Sequence, residues 1–508
     1  MRFRNIYMFA MAMMLAGTSF AQTPGTLDNT FGQGGVVYTP QLNGLYNVPV
    51  AILQPTSTVG KLITVGNVDG GGTSIGRYLL SGVLDSSFGT NGTIVDPTVL
   101  SFGASATGAM LQPDQKILVK GFFFDANSQY QAYLTRYQTS GLRDSSFGTN
   151  GTVNAGYGQF GDFAIQPDGK ILVVNDTGLL TRYNGNGTID NSFGANGVTT
   201  ANQQFRATSS IALQPDGKIL IGGDKYSNTN FLDPLVARFL PGGGIDSTFG
   251  TNGYVIPSIS AGSAFVSKLL VDANGKIVIA GAGGNSLFSF IMERLHSNGT
   301  HDVSFNTQHI KIGQANDFFT GLTIQPDGKI VAGGIAQLDL LDNSDAILMR
   351  FQTNGNLDSM FAQNGIAQEH IAQKSIMVSS MLQQADGKIA LCASISDTVN
   401  YDFNGLLLRY NMGVTTPVPT TASSLHGLSS GIAIYPNPVN DQLFIDRSKM
   451  QSQIDGHFEL RDITGKIVAS GLLNQGVNTV NTSALSSGLY LLQITDGNER
   501  TVSKVVKQ

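Results

Sequence analysis

The sequence predicts an all-β fold: a seven-bladed β-propeller closed by its own N-terminal strand, followed by a small Ig-like β-sandwich. Three observations predict it. The chain carries a sevenfold internal repeat. Its composition favours short strands and tight turns. The start and the end of the repeat are out of phase in a way that suits a closed ring.

The repeat has three elements in fixed order. An apolar strand runs through a tight turn into a second strand, as in Ile211-Ala-Leu-Gln-Pro-Asp-Gly-Lys-Ile-Leu-Ile221. A short strand then ends in arginine plus an aromatic or apolar residue, as in Ala237-Arg238-Phe239. A closing turn follows, as in Asp246-Ser-Thr-Phe-Gly-Thr-Asn-Gly253. The arginines are Arg77, Arg136, Arg182, Arg238, Arg294, Arg350 and Arg409, at spacings of 59, 46, 56, 56, 56 and 59 residues. The aspartates are Asp28, Asp85, Asp144, Asp190, Asp246, Asp302 and Asp358. A period of this length with about four short strands per unit reads as propeller blades.

Glycine is abundant, at 62 residues, while glutamate occurs only at positions 293, 369, 459 and 499. Pro-Asp-Gly and Asn-Gly suit hairpins, because proline presets φ and glycine accepts φ > 0. The first repeat element on the chain is a closing turn, Leu27-Asp-Asn-Thr-Phe-Gly32, followed by the strand-like Gly35-Val-Val-Tyr-Thr39. The last repeat stops at Arg409-Tyr410 without one. The N-terminal strand is therefore expected to complete the seventh blade and hide two sheet edges. The repeated phenylalanines, such as Phe88, Phe147 and Phe249, are expected between adjacent blades. The seven arginines and aspartates are expected to pair. The departures are local: Gln115 replaces the turn glycine of the second copy, and Leu53 to Lys61 carries a longer turn.

Residues 1–21 read as a signal peptide. Arg2 and Arg4 precede an apolar stretch from Ile6 to Ala16, and Ser19-Phe20-Ala21 is a small-x-small cleavage site. No later segment is apolar enough to span a membrane. The net charge of −5 gives no basic excess for nucleic acid. The single cysteine, Cys392, excludes an intrachain disulfide framework and reads as a small core residue.

Residues 22–412 form the propeller region, 413–430 a Thr/Pro/Ser-rich linker, and 431–508 a second domain. The Gln-Pro-Asp-Gly-Lys strands and the Leu/Ile-Asp-x-Ser/Thr-Phe-Gly turns, from Leu27 to Tyr410, resemble the delta-sixty repeat family. That resemblance implies a bacterial extracytoplasmic protein and no established reaction. The tail resembles the type A sorting domain of the type IX secretion system. It does so through Tyr435-Pro-Asn-Pro438, Asp462-x-x-Gly465-Lys466, Leu485-x-x-Gly488-x-Tyr490 and Lys504-Val-Val-Lys507. The resemblance implies a partner, the secretion machinery of a Bacteroidota-type cell, and a destination, the outer-membrane surface.

Catalytic motifs are wanting. The six histidines stand at no zinc spacing, and no Gly-x-Ser-x-Gly elbow occurs. Asn354-Gly-Asn-Leu-Asp358 lacks the spacing and terminal glutamate of a calcium loop. Neither a cofactor nor a metal is expected. The repeat instead points to one face. With strands a to d in each blade, the regular a–b and c–d turns share one end of the sheets. The irregular b–c and d–a connections share the other. Variable loops on a rigid scaffold concentrate function. The candidate ligand-binding residues there are Phe123, Asp125, Tyr130, Tyr226, Phe231, Asp233, Tyr401, Asp402 and Phe403. The expected function is a secreted or surface-displayed protein that binds an extracellular glycan or protein. The rivals are a polysaccharide lyase or hydrolase and a purely structural surface component.

Overall fold

A computed structural model describes residues 23–413 and 433–507, apart from 43, 57–59, 70, 98–103, 159, 202–203, 228–230, 259–261, 340–342, 398–402, 436–438, 440–441, 448–455, 463–465, 487 and 497–498. The predicted signal peptide, the predicted linker beyond residue 413, Tyr401 and Asp402 lie outside the described residues. The chain divides into two compact units, Met1–Val414 and Thr415–Gln508.

The first unit is a β-propeller. Its described residues form seven four-stranded antiparallel sheets. The fourth sheet shows the pattern: Ala207–Leu213 (a), Ile219–Tyr226 (b), Leu232–Phe239 (c) and Tyr254–Val255 (d), each hydrogen-bonded to the next. Strands b and c are buried nearly throughout, since each sheet is covered on both faces. Ser344–Phe351 of the sixth sheet is buried at every position. The a strands lie innermost, where those of most neighbouring sheets pack on one another. Every a–b ladder shifts register at one place, from Pro49/Ala51 in the first sheet to Val378/Ser380 in the last. A bulge at the same rung bends each inner strand.

The last sheet takes its outer strand from the start of the chain. Val36–Tyr38 pairs antiparallel with Phe403–Tyr410, placing Val36 opposite Leu408 and Tyr38 opposite Leu406. Asn47–Leu53 of the first sheet packs on Lys374–Gln383 of the last.

The repeated residues make one structural clamp. Arg238 Nε donates to Asp246 Oδ2 at 2.9 Å, and its guanidinium lies 4.5 Å from the centroid of Phe249. The Asp246 carboxylate also accepts from Thr248 N, Thr248 Oγ1 and the Lys218 ammonium. This explains the Asp-x-Ser/Thr spacing: the hydroxyl two residues on closes the turn. Arg238 Nη1 reaches the carbonyl of Ser297 in the next sheet. The other arginines and aspartates pair in the same way, and each arginine faces its phenylalanine. The phenylalanines pack into the neighbouring sheet, as Phe249 does against Val266, Ile279 and Ile291. In the last clamp the partners come from opposite ends of the unit, Arg409 with Asp28 and Phe31. After Phe249, Asn252 takes a positive φ of 55° and Gly253 one of 97°, as a left-handed turn requires. Gln115, at the turn glycine's place, is forced to φ 68°. Cys392 is buried in the last sheet.

The third sheet is the short one. Its strands b and c, Ile171–Asn175 and Leu179–Tyr183, have five residues each, against eight in the second and fourth sheets.

In the second unit the described residues form two antiparallel sheets. One orders Ala433–Tyr435, Gln442–Asp446 and Val477–Asn481. The other orders Ile467–Leu473, Gly456–Asp462, Gly488–Asp496 and Glu499–Lys507. They share a core of Val439, Leu443, Ile445, Leu460, Leu492 and Val505. Of the tail's motifs, Pro436 to Pro438 and Ile463 to Gly465 lie outside the described residues. Lys466 N donates to Asp462 Oδ1 at 3.1 Å, and Tyr490 Oη to the Ser486 carbonyl at 2.8 Å.

Two outcomes test the clamp. Arg238→Leu leaves buried Asp246 with Lys218 as its remaining cation and is expected to lower the unfolding free energy by about 3 kcal/mol in a denaturant melt. Burial alone would raise the Asp246 carboxyl. The hydrogen bonds from Thr248 and Lys218 and the charge of Arg238 outweigh it and hold the group at about 2. Asp28 is likewise brought to about 2, against its burial, by Lys388, Thr30 and Arg409. A carboxylate depressed in the fold stabilises it fully above its ordinary 3.8, and that stabilisation is lost as pH falls through 2. The melting temperature should therefore fall steeply between pH 4 and 2, and more shallowly in Asp246→Asn.

Candidate functional site

The antiparallel ladders put the a–b and c–d turns at one end of the sheets and the b–c and d–a connections at the other. The described candidate residues all lie at the second end, in three separate sheets. No hydrogen bond, ion pair or ring contact among the described residues joins the three groups.

The second sheet holds the densest group. Its b–c hairpin joins Ile117–Phe124 to Tyr130–Tyr137, with Phe124 opposite Tyr130 and Phe123 opposite Gln131. Alternation along the strands splits the hairpin into two faces. On one face Phe122, Phe124 and Tyr130 form a ring cluster with centroids 4.6 to 6.2 Å apart. On the other stand Phe123, nearly buried, and Gln131. The Asp125 carboxylate organises the turn. It accepts Asn127 N at 2.8 Å, Gln129 N at 3.0 Å and Gln131 Nε2 at 3.0 Å. The backbone N–H groups of Gln129 and Asn127 hold its carboxyl below the usual range. Asp125 is thus first a turn organiser.

Phe123, Asp125 and Gln131 line a wide-open hollow of about 510 Å³ with Asn154, Gly156 and Tyr157. Tyr157 is 67% exposed. A second hollow of about 650 Å³ continues from Phe123 along Val153, Asn154 and Thr152 to Tyr183 and Thr188 of the third sheet. The first lies where the third sheet stops three rungs short in strands b and c; the second runs on to the c–d turns, at Gly148 and Gly187. Beyond the third sheet the turn of the second, residues 126–130, is exposed, while Phe123 and Gln131 stay nearly buried. Asn154, Gln131 and Tyr157 were not singled out in the sequence. The signal that points to them is the 46-residue spacing between Arg136 and Arg182, ten residues below the modal period.

In the fourth sheet Tyr226 is 67% exposed and lies 5.9 Å from the guanidinium of Arg206, which pairs with Asp224 through Nε at 2.5 Å and Nη2 at 3.0 Å. Phe231 is exposed and Asp233 half-buried at the same tip. In the last sheet Phe403 is exposed, while its predicted companions Tyr401 and Asp402 lie outside the described residues.

The inner strands carry a charge cluster the sequence did not reveal. The Lys120 ammonium meets the Gly161 carbonyl at 2.9 Å and Asp162 at 3.4 Å, and Lys268 lies 3.9 Å from the other Asp162 oxygen. Burial lowers the Lys120 ammonium, against the charge of Asp162. Among the described residues no group of three or more His, Cys, Asp or Glu is arranged to hold a metal.

Residues 433–508 match the secretion system C-terminal sorting domain. Residues 112–147, 166–193, 214–249, 273–305 and 325–361 match the β-propeller domain of unknown function DUF5122. Each of these spans runs from the a–b turn to the phenylalanine of the clamp. The chain is therefore a β-propeller protein with a type IX secretion sorting domain at its C-terminus, which marks it for export and attachment at the outer-membrane surface. No curated protein matches it. Among solved structures it is similar to PorZ, an essential bacterial surface component of the type IX secretion system of Porphyromonas gingivalis (9% identity, TM-score 0.31, covering 89% of this chain). The chain spans 65% of PorZ. It is also similar to the Dos1 propeller (11% identity, TM-score 0.41, covering 76% of this chain and 94% of that one). A third likeness is to an ulvan lyase of polysaccharide lyase family PL25 (10% identity, TM-score 0.44, covering 73% and 94%). At these identities and scores the likenesses carry nothing about function.

Asp125→Ala removes the acceptor of three donors in one turn. Amide exchange at Asn127 and Gln129 is expected to accelerate, as read by hydrogen–deuterium exchange. Melting of the whole propeller should be unchanged, because the clamps are untouched.

Proposed function

We propose that this chain is a surface-displayed binding protein whose propeller takes an extracellular glycan at the b–c and d–a end. The seven sheets act as seven blades of one ring that the N-terminal strand completes. Residues 1–21 are removed on export, and the tail, an Ig-like sandwich over 431–508, engages the secretion machinery. The contact surface is the gap beside the short third sheet, with Tyr226, Phe231 and Phe403 as further contacts around the same end.

One observation carries this reading. The gap sets the exposed ring of Tyr157 beside the amides of Gln131 and Asn154 and the apolar wall of Phe123. A sugar presents apolar C–H faces and an edge of hydroxyls. Aromatic rings take the first and side-chain amides the second. The hollow is open along its length, which suits a chain more than a single small molecule.

The test is retention of polysaccharides and extracellular proteins by the purified protein on an array, with products assayed in parallel. Saturable retention of a glycan without product is expected. Tyr157→Ala should weaken it at least tenfold, by about 1.4 kcal/mol or more, with melting unchanged. Retention of proteins alone, or binding undiminished in folded Tyr157→Ala, would sink the reading. New reducing ends or unsaturated sugars would replace it with an enzyme.

A further inference from the structure

The sixth and last sheets meet at a cleft that lacks a residue its counterpart has. In the first sheet, Asp96 stands on strand d opposite Thr73, three residues beyond Thr93. Its Oδ2 accepts Arg143 Nε of the second sheet at 2.9 Å and lies 2.7 Å from Nη2. Arg143 is the residue just before the clamp aspartate, Asp144. In the sixth sheet Glu369 holds the same place as Asp96, opposite Ala346 and three residues beyond Ile366. The other five sheets carry Ala155, Ala201, Pro257, Ile310 and Thr39 there, none of them acidic. The residue that should answer Glu369 is the one before Asp28, and it is Leu27.

Leucine offers no cation. The Glu369 carboxylate has no hydrogen bond or ion pair among the described residues. Burial, helped by the charge of Asp345, raises its pKa. Instead of a guanidinium there is a hollow of about 880 Å³, lined by Glu369, His370, Gln368, Tyr410, Leu27 and Thr26 among others. Tyr410 is 1% exposed, and its hydroxyl has no hydrogen-bond partner among the described residues. Tyr137, its counterpart in the second sheet, lies within the field of the Asp96–Arg143 pair as Tyr410 does within that of Glu369. Behind Glu369, Asp345 is already occupied, by His370 Nδ1 at 2.8 Å and Gln368 Nε2 at 2.6 Å. Lys311 is at the rim, but its ammonium is held by Asp317 at 3.2 Å and the Phe288 carbonyl at 3.0 Å.

We propose that this hollow binds a guanidinium group, as an arginine side chain, in the position that Arg143 fills beside Asp96. A guanidinium can offer a carboxylate two N–H groups and still has others for the Tyr410 oxygen; Arg143 shows the placement, with Nε and Nη2 both at Asp96 Oδ2. The apolar stem of such a side chain finds Leu27, Ile366 and Ala362 along the wall. The site stands apart from the gap beside the third sheet and does not depend on it.

The test is titration of the purified full chain with a capped Gly-Arg-Gly peptide, its citrulline counterpart and free arginine. Citrulline keeps the shape and loses the charge. Saturable binding of the arginine peptide is expected, at least tenfold weaker for citrulline and in Glu369→Gln. Leu27→Arg supplies the missing guanidinium from within, so it should abolish peptide binding and melt above the parent. Free arginine binding as well as the peptide assigns the site to a small molecule, and much weaker binding assigns it to a protein segment. No binding of either arginine ligand, equal binding of citrulline, or undiminished binding in folded Glu369→Gln would overturn the proposal.

Discussion

The propeller depends on a buried arginine that does three jobs at once. Its Nε holds the aspartate of its own closing turn, its face lies over the phenylalanine of that turn, and its Nη1 reaches a carbonyl one sheet on. A buried ion pair alone is weak evidence of stability, because desolvation offsets the Coulomb attraction. Here the aspartate is also satisfied by a hydroxyl, a backbone N–H and a lysine. What the clamp supplies above all is geometry. It fixes the closing turn against strand c and aims its phenylalanine into the neighbouring sheet. The angle between sheets follows from that contact.

Ring closure uses the same device. Asp28 takes Arg409 and Lys388 from the far end of the unit, and Phe31 packs among Ile52, Leu62, Tyr78, Cys392 and Leu407. The last sheet and the first are thus joined by the contacts that join any other pair. The pairing of Val36–Tyr38 with the last sheet covers an edge that would otherwise offer free backbone groups to another chain.

Much of this was legible in the sequence because it is repeated. An Asp-x-Ser/Thr-Phe turn in six copies, with Met360 in the hydroxyl's place in a seventh, in phase with an arginine, states its own pairing, and Asn-Gly states a left-handed turn. The tail motifs named a sorting domain. The candidate site was legible only in part. The alternation of regular and irregular connections assigned Tyr130, Tyr226, Phe231 and Phe403 to one end, because antiparallel strands leave no choice. It could not show that Asp125 spends its oxygens on its own turn, or that Phe123 faces a different side from Phe122 and Phe124. Those depend on strand register, which propensity does not fix. Nor did it single out Tyr157, whose exposure is set by the missing rungs of another sheet.

In such a scaffold a residue present in every sheet answers to the architecture, so individuality has to come from departures. Two departures open space here. The third sheet is short, which uncovers the flank of the second. The last sheet is assembled from both ends of the unit, so its closing turn carries Leu27 where the second carries Arg143. In the first case a loss of backbone leaves aromatic and amide groups facing solvent. In the second a loss of charge leaves a half-buried carboxylate and a buried phenol unanswered. Unpaired polar groups in such places cost free energy. The chain has at hand, in its second sheet, an arginine that answers the equivalent carboxylate. Its absence from the cleft is what makes the cleft a site rather than a seam.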